Sequence, residues 1–329
     1  MSTQLTIIGL GQIGASIGLA LGGQKTALKR IGHDKKMDVE RAAQTKGAVD
    51  EVKHNLPSAV REANIVVMCL PVSQVRATLE VIAPELKEST VVLDTSPVKS
   101  AVIEWAQTIL PPRRYYVGLV PALNPDVLHE TKFGLDAARA DLFKRGLMVI
   151  DAPRGTPGEV VQLASDLTEL LGAVSLLADP AESDGLMAWM HLLPQLTAAA
   201  LLNATVDQPG WQEARKVGGR AYAAVTAGLA YQDEIDSLRM SALHNRANTV
   251  HALDVMIAAL QGLRDDIDHS DEDGIAARLE HALDGRNRWM QDRLSAEWTA
   301  PGTERPPVDL TSFAERFFGS TFYRRDQNK

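Results

Sequence analysis

Short apolar segments alternate with amphipathic segments through the first half of the chain. Segments 5–8, 30–33, 65–70, 91–93, 116–117 and 147–150 are predicted to be strands, because they are short, largely apolar and bounded by turn residues. Segments 75–86 and 98–109, which lie between them, show the periodicity of helices. Strands that alternate with helices form parallel sheets with helices on both faces. The pattern therefore predicts a doubly wound parallel sheet of the Rossmann type.

The pattern changes after residues 151–158, a turn-rich stretch with two prolines and two glycines. Beyond it, segments 159–171, 181–206, 211–230, 234–265 and 271–294 have helical patterns, and 310–323 is predicted to be a last apolar helix or turn after the Pro-rich residues 299–307. The predicted fold class is α/β plus all-α. We expect a dinucleotide-binding domain at 1–153 and a helical substrate-binding and dimerisation domain at 154–329.

A glycine-rich turn follows the first predicted strand, with the sequence Gly9-Leu-Gly11-Gln-Ile-Gly14. Gly9 permits a tight turn, Gly11 lets a pyrophosphate approach the backbone, and Gly14 lets helix and strand pack closely. Gln12 and Ile13 would then supply amide groups at the start of the helix, where anions bind. The motif predicts a dinucleotide site.

Asp34 ends the second predicted strand, twenty residues beyond Gly14. A carboxylate there accepts hydrogen bonds from both ribose hydroxyls and repels a 2′-phosphate, which favours NAD. Lys35 and Lys36 follow directly and could instead neutralise a phosphate, so NADP stays open.

Two further turns follow predicted strands, and ligands bind beyond the carboxyl ends of such strands. We expect Leu70, Pro71, Val72 and Thr95 to contact the cofactor. The segment Asp94-Thr-Ser96-Pro-Val-Lys99 opens a helix, so Ser96 and Lys99 are expected to face the nicotinamide, although a capped helix start with a solvated lysine is an equal alternative.

Composition narrows the functional classes. The 329-residue chain has 45% hydrophobic and 23% charged residues, typical of soluble globular proteins, and its net charge of −8 argues against nucleic acid or an anionic membrane as the main partner. A small-molecule substrate fits better. The single cysteine, Cys69, cannot form an internal disulfide and is expected to pack in a strand. The first strand begins within four residues of Met1, which leaves no room for a targeting peptide, so we expect a cytoplasmic protein. No metal is predicted.

Residues 185–203 form a nearly continuous apolar segment that is just long enough to span a bilayer. Pro194 near its middle, the acids Glu182 and Asp184 at its start and the lack of a basic flank argue against a membrane span. A helix that is apolar all round is buried on every side. We therefore expect the central helix of the second domain, shared with a partner in a homodimer.

The order of these motifs resembles the prephenate dehydrogenase family. The resemblance rests on the glycine turn, the acid after the second strand, Leu70-Pro71-Val72, Asp94-x-Ser96-x-x-Lys99 and Tyr116-Val-Gly118 followed by a proline, and it continues through Gly134, Ala138, Leu142-Phe143, Pro153, Asp179-Pro180, Leu193-Pro194 and Asn245. It implies NAD(P)-dependent oxidative decarboxylation of prephenate or arogenate in tyrosine biosynthesis. In the family a histidine accepts the hydroxyl proton and cationic residues hold the carboxylates.

The chain departs from the family where the substrate should bind. Val120-Pro121 stands where the family has His-Pro, and both arginines of the family's Gly-Phe-Arg-Asp-x-Thr-Arg motif are missing. His191 lies one position from the family's helical histidine, a rotation of about 100° that a one-residue helical bulge would correct.

The resemblance and these substitutes suggest a set of site residues. Ser96, Lys99 and His191 are candidate catalytic residues, with Lys99 a hydrogen-bond donor to substrate or a proton acceptor, and His191 alternatively a core residue. Candidates for the far wall of the substrate site are Asn124, Gln195, Arg220 and Asn245, of which Arg220 precedes a lost arginine position by three residues.

Three functions stay open from the sequence. The first is a divergent prephenate or arogenate dehydrogenase. The second is a dehydrogenase or reductase of the same architecture with a different, less anionic substrate, which the missing arginines favour. The third is a dinucleotide-binding protein without turnover.

Overall fold

The computed structural model describes residues 3–22, 28–230 and 235–298. Its strands are β1 Thr3–Ile8, β2 Leu28–His33, β3 Glu51–Val52, β4 Ile65–Met68, β5 Val91–Asp94, β6 Tyr115–Ala122, β7 Leu147–Asp151 and β8 Val174–Ala178. Its α-helices are α1 Gln12–Gly22, α2 Met37–Thr45, α3 Leu56–Val60, α4 Val72–Ile82, α5 Ser100–Ile109, α6 Gly158–Leu170, α7 Pro180–Met187, α8 Leu193–Val206, α9 Trp211–Ala214, α10 Arg220–Thr226, α11 Ile235–His244, α12 Arg246–Asp268 and α13 Glu272–Ser295. The predicted segments 299–307 and 310–323 lie outside the described residues.

The strands form one sheet in the order β3-β2-β1-β4-β5-β6-β7-β8, and the Rossmann-type prediction is confirmed. The pairs from β3 to β6 are all parallel, so the carboxyl ends of β1, β2, β4 and β5 meet at one edge. Apolar side chains with no solvent exposure fill the space between β1 and the helix that follows it, among them Leu5, Ile7 and Ile17.

The sheet is not wholly parallel, because β7 runs antiparallel to β6. The chain between them contains only short 3-10 turns, Pro125–Val127 and Gly134–Ala137, and no α-helix. Parallel crossovers are usually helical, and this connection without an α-helix instead joins antiparallel neighbours. The crossover through α6 then places β8 parallel to β7.

The chain forms two compact units, and the boundary differs from the predicted one. Among the described residues, the first unit holds 3–22, 28–183 and 293–298, and the second holds 184–230 and 235–292. The sequence placed the boundary after residue 153. That turn-rich stretch instead connects β7 to α6, and the sheet continues to β8, so residues 154–183 belong with the first unit.

The second unit is wholly α-helical apart from short 3-10 and π segments within its described residues. The helical stretch Pro180–Val206 is long and apolar enough, by length and composition, to cross a membrane, a test that core helices of soluble proteins also pass. A π-helical turn, Ala188–Leu192, interrupts it, and Pro194 follows at the start of α8. Only 22% of its most apolar window is buried, so most of this apolar surface faces outward in the single chain.

Candidate dinucleotide and substrate sites

The three glycines of the turn between β1 and α1 have different steric surroundings. Gly9 has a φ of +90°, and a Cβ there would lie 2.3 Å from the carbonyl oxygen of Cys69. A Cβ on Gly14 would lie 2.0 Å from the Gly9 carbonyl oxygen, whereas one on Gly11 would meet nothing within 4 Å. Gly9 and Gly14 are therefore required by the packing of the turn, and Gly11 leaves open space above it.

The start of α1 presents free amide groups beside this space. α1 begins at Gln12, and the first N–H groups of a helix have no partner within it. Gln12 and Ile13 are half-buried, and the first turn carries no acidic side chain that would repel an anion. The arrangement suits a pyrophosphate.

Asp34 lies at the same edge, directly after β2. Its Oδ2 atom accepts a hydrogen bond from the Leu10 amide at 2.9 Å, and Oδ1 accepts one from the Lys36 amide at 3.0 Å. These bonds fix the carboxylate beside the glycine turn while leaving it half-exposed. Lys35 and Lys36 are both exposed.

The remaining predicted cofactor residues gather there because their strands are parallel neighbours of β1. Met68 pairs with Ile8 on one side and with Asp94 on the other, so the turns after β4 and β5 both reach this edge. Those turns contain Leu70, Pro71, Val72 and Thr95. The first unit thus brings together all ten residues predicted for the cofactor.

Asp94 is the centre of a buried network that the sequence did not predict. Its Oδ2 atom accepts hydrogen bonds from Ser96 Oγ at 2.6 Å and from Tyr116 OH at 3.1 Å. Lys99 Nζ donates to the Asp94 carbonyl oxygen at 2.8 Å and lies 3.2 Å from Oδ2. Asp94 and Lys99 are 0% exposed and Ser96 is 1% exposed.

In this network Ser96 and Lys99 have partners within the protein, and the alternative of a solvated lysine is wrong because Lys99 is 0% exposed. Both direct their polar atoms to Asp94, so we assign them to holding the turn after β5. Gly118 makes room for the lysine, because a Cβ there would lie 2.7 Å from Lys99 Cδ and 3.3 Å from Asp151 Cβ. Asp151 is also buried and accepts a hydrogen bond from Ser183 Oγ at 2.7 Å. Only the Asp-x-Ser-x-x-Lys spacing signalled Asp94, and nothing signalled Asp151.

Asn124 was expected in the substrate site and instead holds a loop. Its Oδ1 atom accepts a hydrogen bond from the Asp126 amide at 3.0 Å, and its Nδ2 atom donates to the Asp141 carbonyl at 3.1 Å. The side chain is 3% exposed and caps the short 3-10 turn that begins at Pro125. Both ends of the amide are therefore used within the first unit.

In the second unit, His191 lies in the π-helical turn Ala188–Leu192, so the helical bulge anticipated from the sequence is present. Burial lowers the pKa of His191 from its ordinary 6.5 to about 4. The imidazole is therefore neutral at physiological pH. Its ring makes no hydrogen bond to the part of the chain that the structure describes.

The other predicted substrate residues of this unit differ in availability. Gln195 is 7% exposed and donates through Nε2 to the His191 carbonyl at 2.8 Å. Asn245 is 4% exposed, donates to the Asp184 carbonyl and accepts from Asn248, so it holds α12 against α7. Arg220 begins α10 and is exposed.

A cavity of about 430 Å³ lies within the second unit and was not predicted. Its lining includes Thr205, Trp211, Arg215 and Tyr222. The rings of Trp211 and Tyr222 are 6.2 Å apart, and the hydroxyls of Thr205 and Tyr222 lie 2.8 Å apart. Two aromatic rings beside an arginine suit a ring-containing anion.

Comparisons with known proteins point to one family. Residues 17–177 match the family described as prephenate dehydrogenase, nucleotide-binding domain. The chain is 24% identical over 289 residues to a prephenate dehydrogenase of Bacillus subtilis. The alignment covers 87% of this chain and 76% of that protein. It is also 28% identical over 280 residues to a cyclohexadienyl dehydrogenase of Zymomonas mobilis. That alignment covers 84% of this chain and 92% of the relative.

The fold is also similar to that of a solved structure. The prephenate dehydrogenase of Aquifex aeolicus, crystallised with hydroxyphenyl propionate and NAD+, superposes with a TM-score of 0.76 at 20% identity, covering 88% of this chain and 98% of that chain. The predicted nucleotide-binding function of the first unit is confirmed by the family match. Residues 17–177 therefore match a prephenate dehydrogenase nucleotide-binding domain, and the chain is similar over most of its length to prephenate and cyclohexadienyl dehydrogenases.

Proposed function

We propose that this protein is an NAD-dependent dehydrogenase that oxidises the hydroxyl-bearing ring carbon of prephenate or arogenate, with loss of carbon dioxide. The observation that carries the proposal is the family match over residues 17–177, which is supported by the glycine turn and by the carboxylate of Asp34 held beside it. The relatives that carry these names support the choice of substrate.

The first unit has the groups needed to hold the dinucleotide. The amides of Gln12 and Ile13 would hold the pyrophosphate in the open space at Gly11, and Asp34 would accept hydrogen bonds from the ribose hydroxyls. The half-exposed carboxylate favours NAD over NADP, because it would repel a 2′-phosphate. When bound, the oxidised cofactor supplies the hydride acceptor.

His191 is the candidate proton acceptor. A neutral imidazole accepts the hydroxyl proton as hydride leaves the same carbon. Loss of carbon dioxide then delivers electrons to the ring, and the resulting phenolate oxygen takes the proton back from His191. The step releases no net proton, so a histidine whose pKa is lowered to about 4 meets the need for a temporary acceptor that returns its proton readily.

The cavity lined by Arg215 is not part of this site. Its wall begins at Thr205, fourteen residues along the helix from His191, which is about 20 Å at 1.5 Å per residue, so a single small substrate cannot contact both.

We further propose that the second unit forms a homodimer. Large apolar side chains in its helices are exposed in the single chain, including Met190 at 73% and Leu260 at 55%. Exposed apolar side chains in this number are typical of protein interfaces. A second copy would cover the apolar stretch Pro180–Val206 and remove the need for a membrane.

A second candidate is a dehydrogenase with a less anionic substrate. Two observations favour it: the engagement of Lys99 with Asp94, and valine at position 120 where the family has histidine. In both cases a polar group that could bind prephenate, which carries two carboxylates, is missing or already has a partner.

The test is NADH formation by purified protein with prephenate and with arogenate, alongside NADH binding by fluorescence. Turnover with either compound supports the proposal, and binding without turnover refutes the assigned reaction.

A further inference from the structure

Two histidines and a glutamate meet at the end of the sheet next to Asp34. His33 is the last residue of β2, Glu40 lies in α2, and His54 follows β3. β2 and β3 are parallel and pair Gly32 with Val52, so the residues just beyond them emerge at the same edge. α2 returns over that edge and brings Glu40 between the two rings.

The distances within this cluster are short. His54 Nδ1 lies 3.0 Å from Glu40 Oε2, and His33 Nδ1 lies 3.4 Å from Glu40 Oε1. One ligand atom from each of the three side chains lies within 4.8 Å of the others. Ligand atoms around a tetrahedral zinc ion are about 3.3 Å apart, given bonds of about 2.0 Å. Small side-chain rotations would therefore suffice to close the three groups on one ion.

The cluster is held by contacts outside it. The Asp34 amide donates to Glu40 Oε1 at 3.0 Å, and His33 Nδ1 lies 3.1 Å from the Lys53 carbonyl oxygen. The first contact holds the carboxylate. The second requires a proton on His33 Nδ1, so Nε2 of that ring carries the lone pair that a metal ion needs, as in metal sites where the other ring nitrogen donates to a carbonyl oxygen.

The burial of Glu40 and the exposure of His54 are also consistent with binding of an ion from solution. The side chain of Glu40 is 3% exposed, and burying a carboxylate is costly unless positive charge compensates it. A divalent cation supplies that charge without protonating either ring. The side chain of His54 is 50% exposed, which leaves an entry path and room for a water molecule as fourth ligand.

We propose that His33, Glu40 and His54 form a binding site for a divalent transition-metal ion, with Zn2+ the best match. Two imidazole nitrogens and one carboxylate oxygen are donors that Zn2+ accepts readily, whereas Mg2+ and Ca2+ require oxygen ligands. The ion would join α2 to the ends of β2 and β3. Its role is structural and independent of the dehydrogenase activity proposed above.

The test is isothermal titration of the metal-free full-length protein with Zn2+ and, separately, with Mg2+. We expect one Zn2+ per chain with a Kd in the micromolar range or below, and no measurable heat from Mg2+. Thermal unfolding should shift upward by a few degrees with Zn2+ present, because the ion binds only the folded state. Absence of stoichiometric Zn2+ binding would overturn the proposal.

Variants assign the binding to these residues. His54→Ala removes a half-exposed side chain and should weaken Zn2+ binding at least about tenfold and abolish the thermal shift. His129→Ala, which removes an exposed histidine of the same unit, should change neither. Glu40→Gln keeps an oxygen for the Asp34 amide but loses the charge, so it should also lose the ion. If His54→Ala binds Zn2+ as tightly as wild type, the ion lies elsewhere and the proposal is wrong.

Discussion

The Nζ atom of Lys99 lies 3.2 Å from Oδ2 of Asp94, and neither residue has any solvent exposure. A buried ion pair of this kind is costly to break, because removal of one partner leaves a charge without compensation. The pair lies at the turn after β5, at the edge of the sheet where the predicted cofactor residues gather. Substitution of either residue is therefore expected to lower the stability of the fold.

Lys99→Met should lower the free energy of unfolding by about 3–5 kcal/mol, because Asp94 loses its cationic partner in the core. Urea unfolding measures the change. Lys132→Met, which alters an exposed lysine of the same unit, is the control and should change stability by less than about 0.5 kcal/mol. Adding Asp94→Asn to Lys99→Met should recover part of the loss. Equal stability of the Lys99 and Lys132 variants would rule out a stabilising role for the pair.

Gly14→Ala and Gly11→Ala should act differently, although both add one methyl group. At Gly14 the methyl group would lie 2.0 Å from the Gly9 carbonyl oxygen, so the turn must shift and the protein should be destabilised by about 1–3 kcal/mol. At Gly11 the space is open, so stability should hold while NADH affinity falls about tenfold or more. Denaturation and fluorescence titration separate the two effects. Unchanged NADH affinity in a folded Gly11→Ala variant would contradict the placement of the pyrophosphate.

Asp34→Ala should shift preference from NAD toward NADP, because the variant no longer repels a 2′-phosphate beside Lys35 and Lys36. The ratio of dissociation constants for NADH and NADPH measures it. Asp38→Ala removes an exposed carboxylate four residues later and should leave the ratio unchanged. A wild-type protein that already prefers NADPH would show that the lysines, not Asp34, determine the choice.

His191 should make stability depend on pH. Its folded-state pKa of about 4 lies below the ordinary 6.5, so the unfolded chain takes up the proton more readily. The free energy of unfolding should therefore fall as pH drops from 6.5 toward 4, by at most about 1.4 kcal/mol per pH unit and less because the ring is partly exposed. His191→Gln should have a shallower slope over this range. Identical slopes would mean that the ring titrates normally.

The same variant tests catalysis. If His191 accepts the hydroxyl proton, His191→Gln should lower kcat at least about a hundredfold while NADH binding is unchanged. Near wild-type turnover would make His191 a packing residue.

Met190→Glu should convert the proposed dimer to a monomer, since it places a charge on the exposed apolar surface of the π-helical turn. Light scattering at micromolar concentration measures the mass. Val217→Glu changes an equally apolar side chain that is 83% exposed between α9 and α10, and it should leave the mass unchanged. A monomeric wild-type protein would refute the dimer.

The hydrophobic pattern did not predict the direction of β7 or the existence of the edge strands β3 and β8. The apolar run at 147–150 predicted β7, but not its antiparallel direction, which depends on the helix-free path of the preceding loop. β3 has only two residues, and Leu177 of the edge strand β8 is 60% exposed, so neither produces a clear apolar signal.

The dinucleotide turn was predictable from local pattern, because the steric needs of Gly9 and Gly14 are local, and because few other structures place a strand, a glycine turn and an acid at this spacing. The contacts of Ser96, Lys99 and Asn124 were not predictable in this way. A side chain near a strand end can face a ligand or the core, and its direction depends on partners distant in sequence, such as Tyr116, twenty-two residues from Asp94. For the same reason no motif marked His33, Glu40 and His54, which become neighbours only when β2, α2 and β3 pack together.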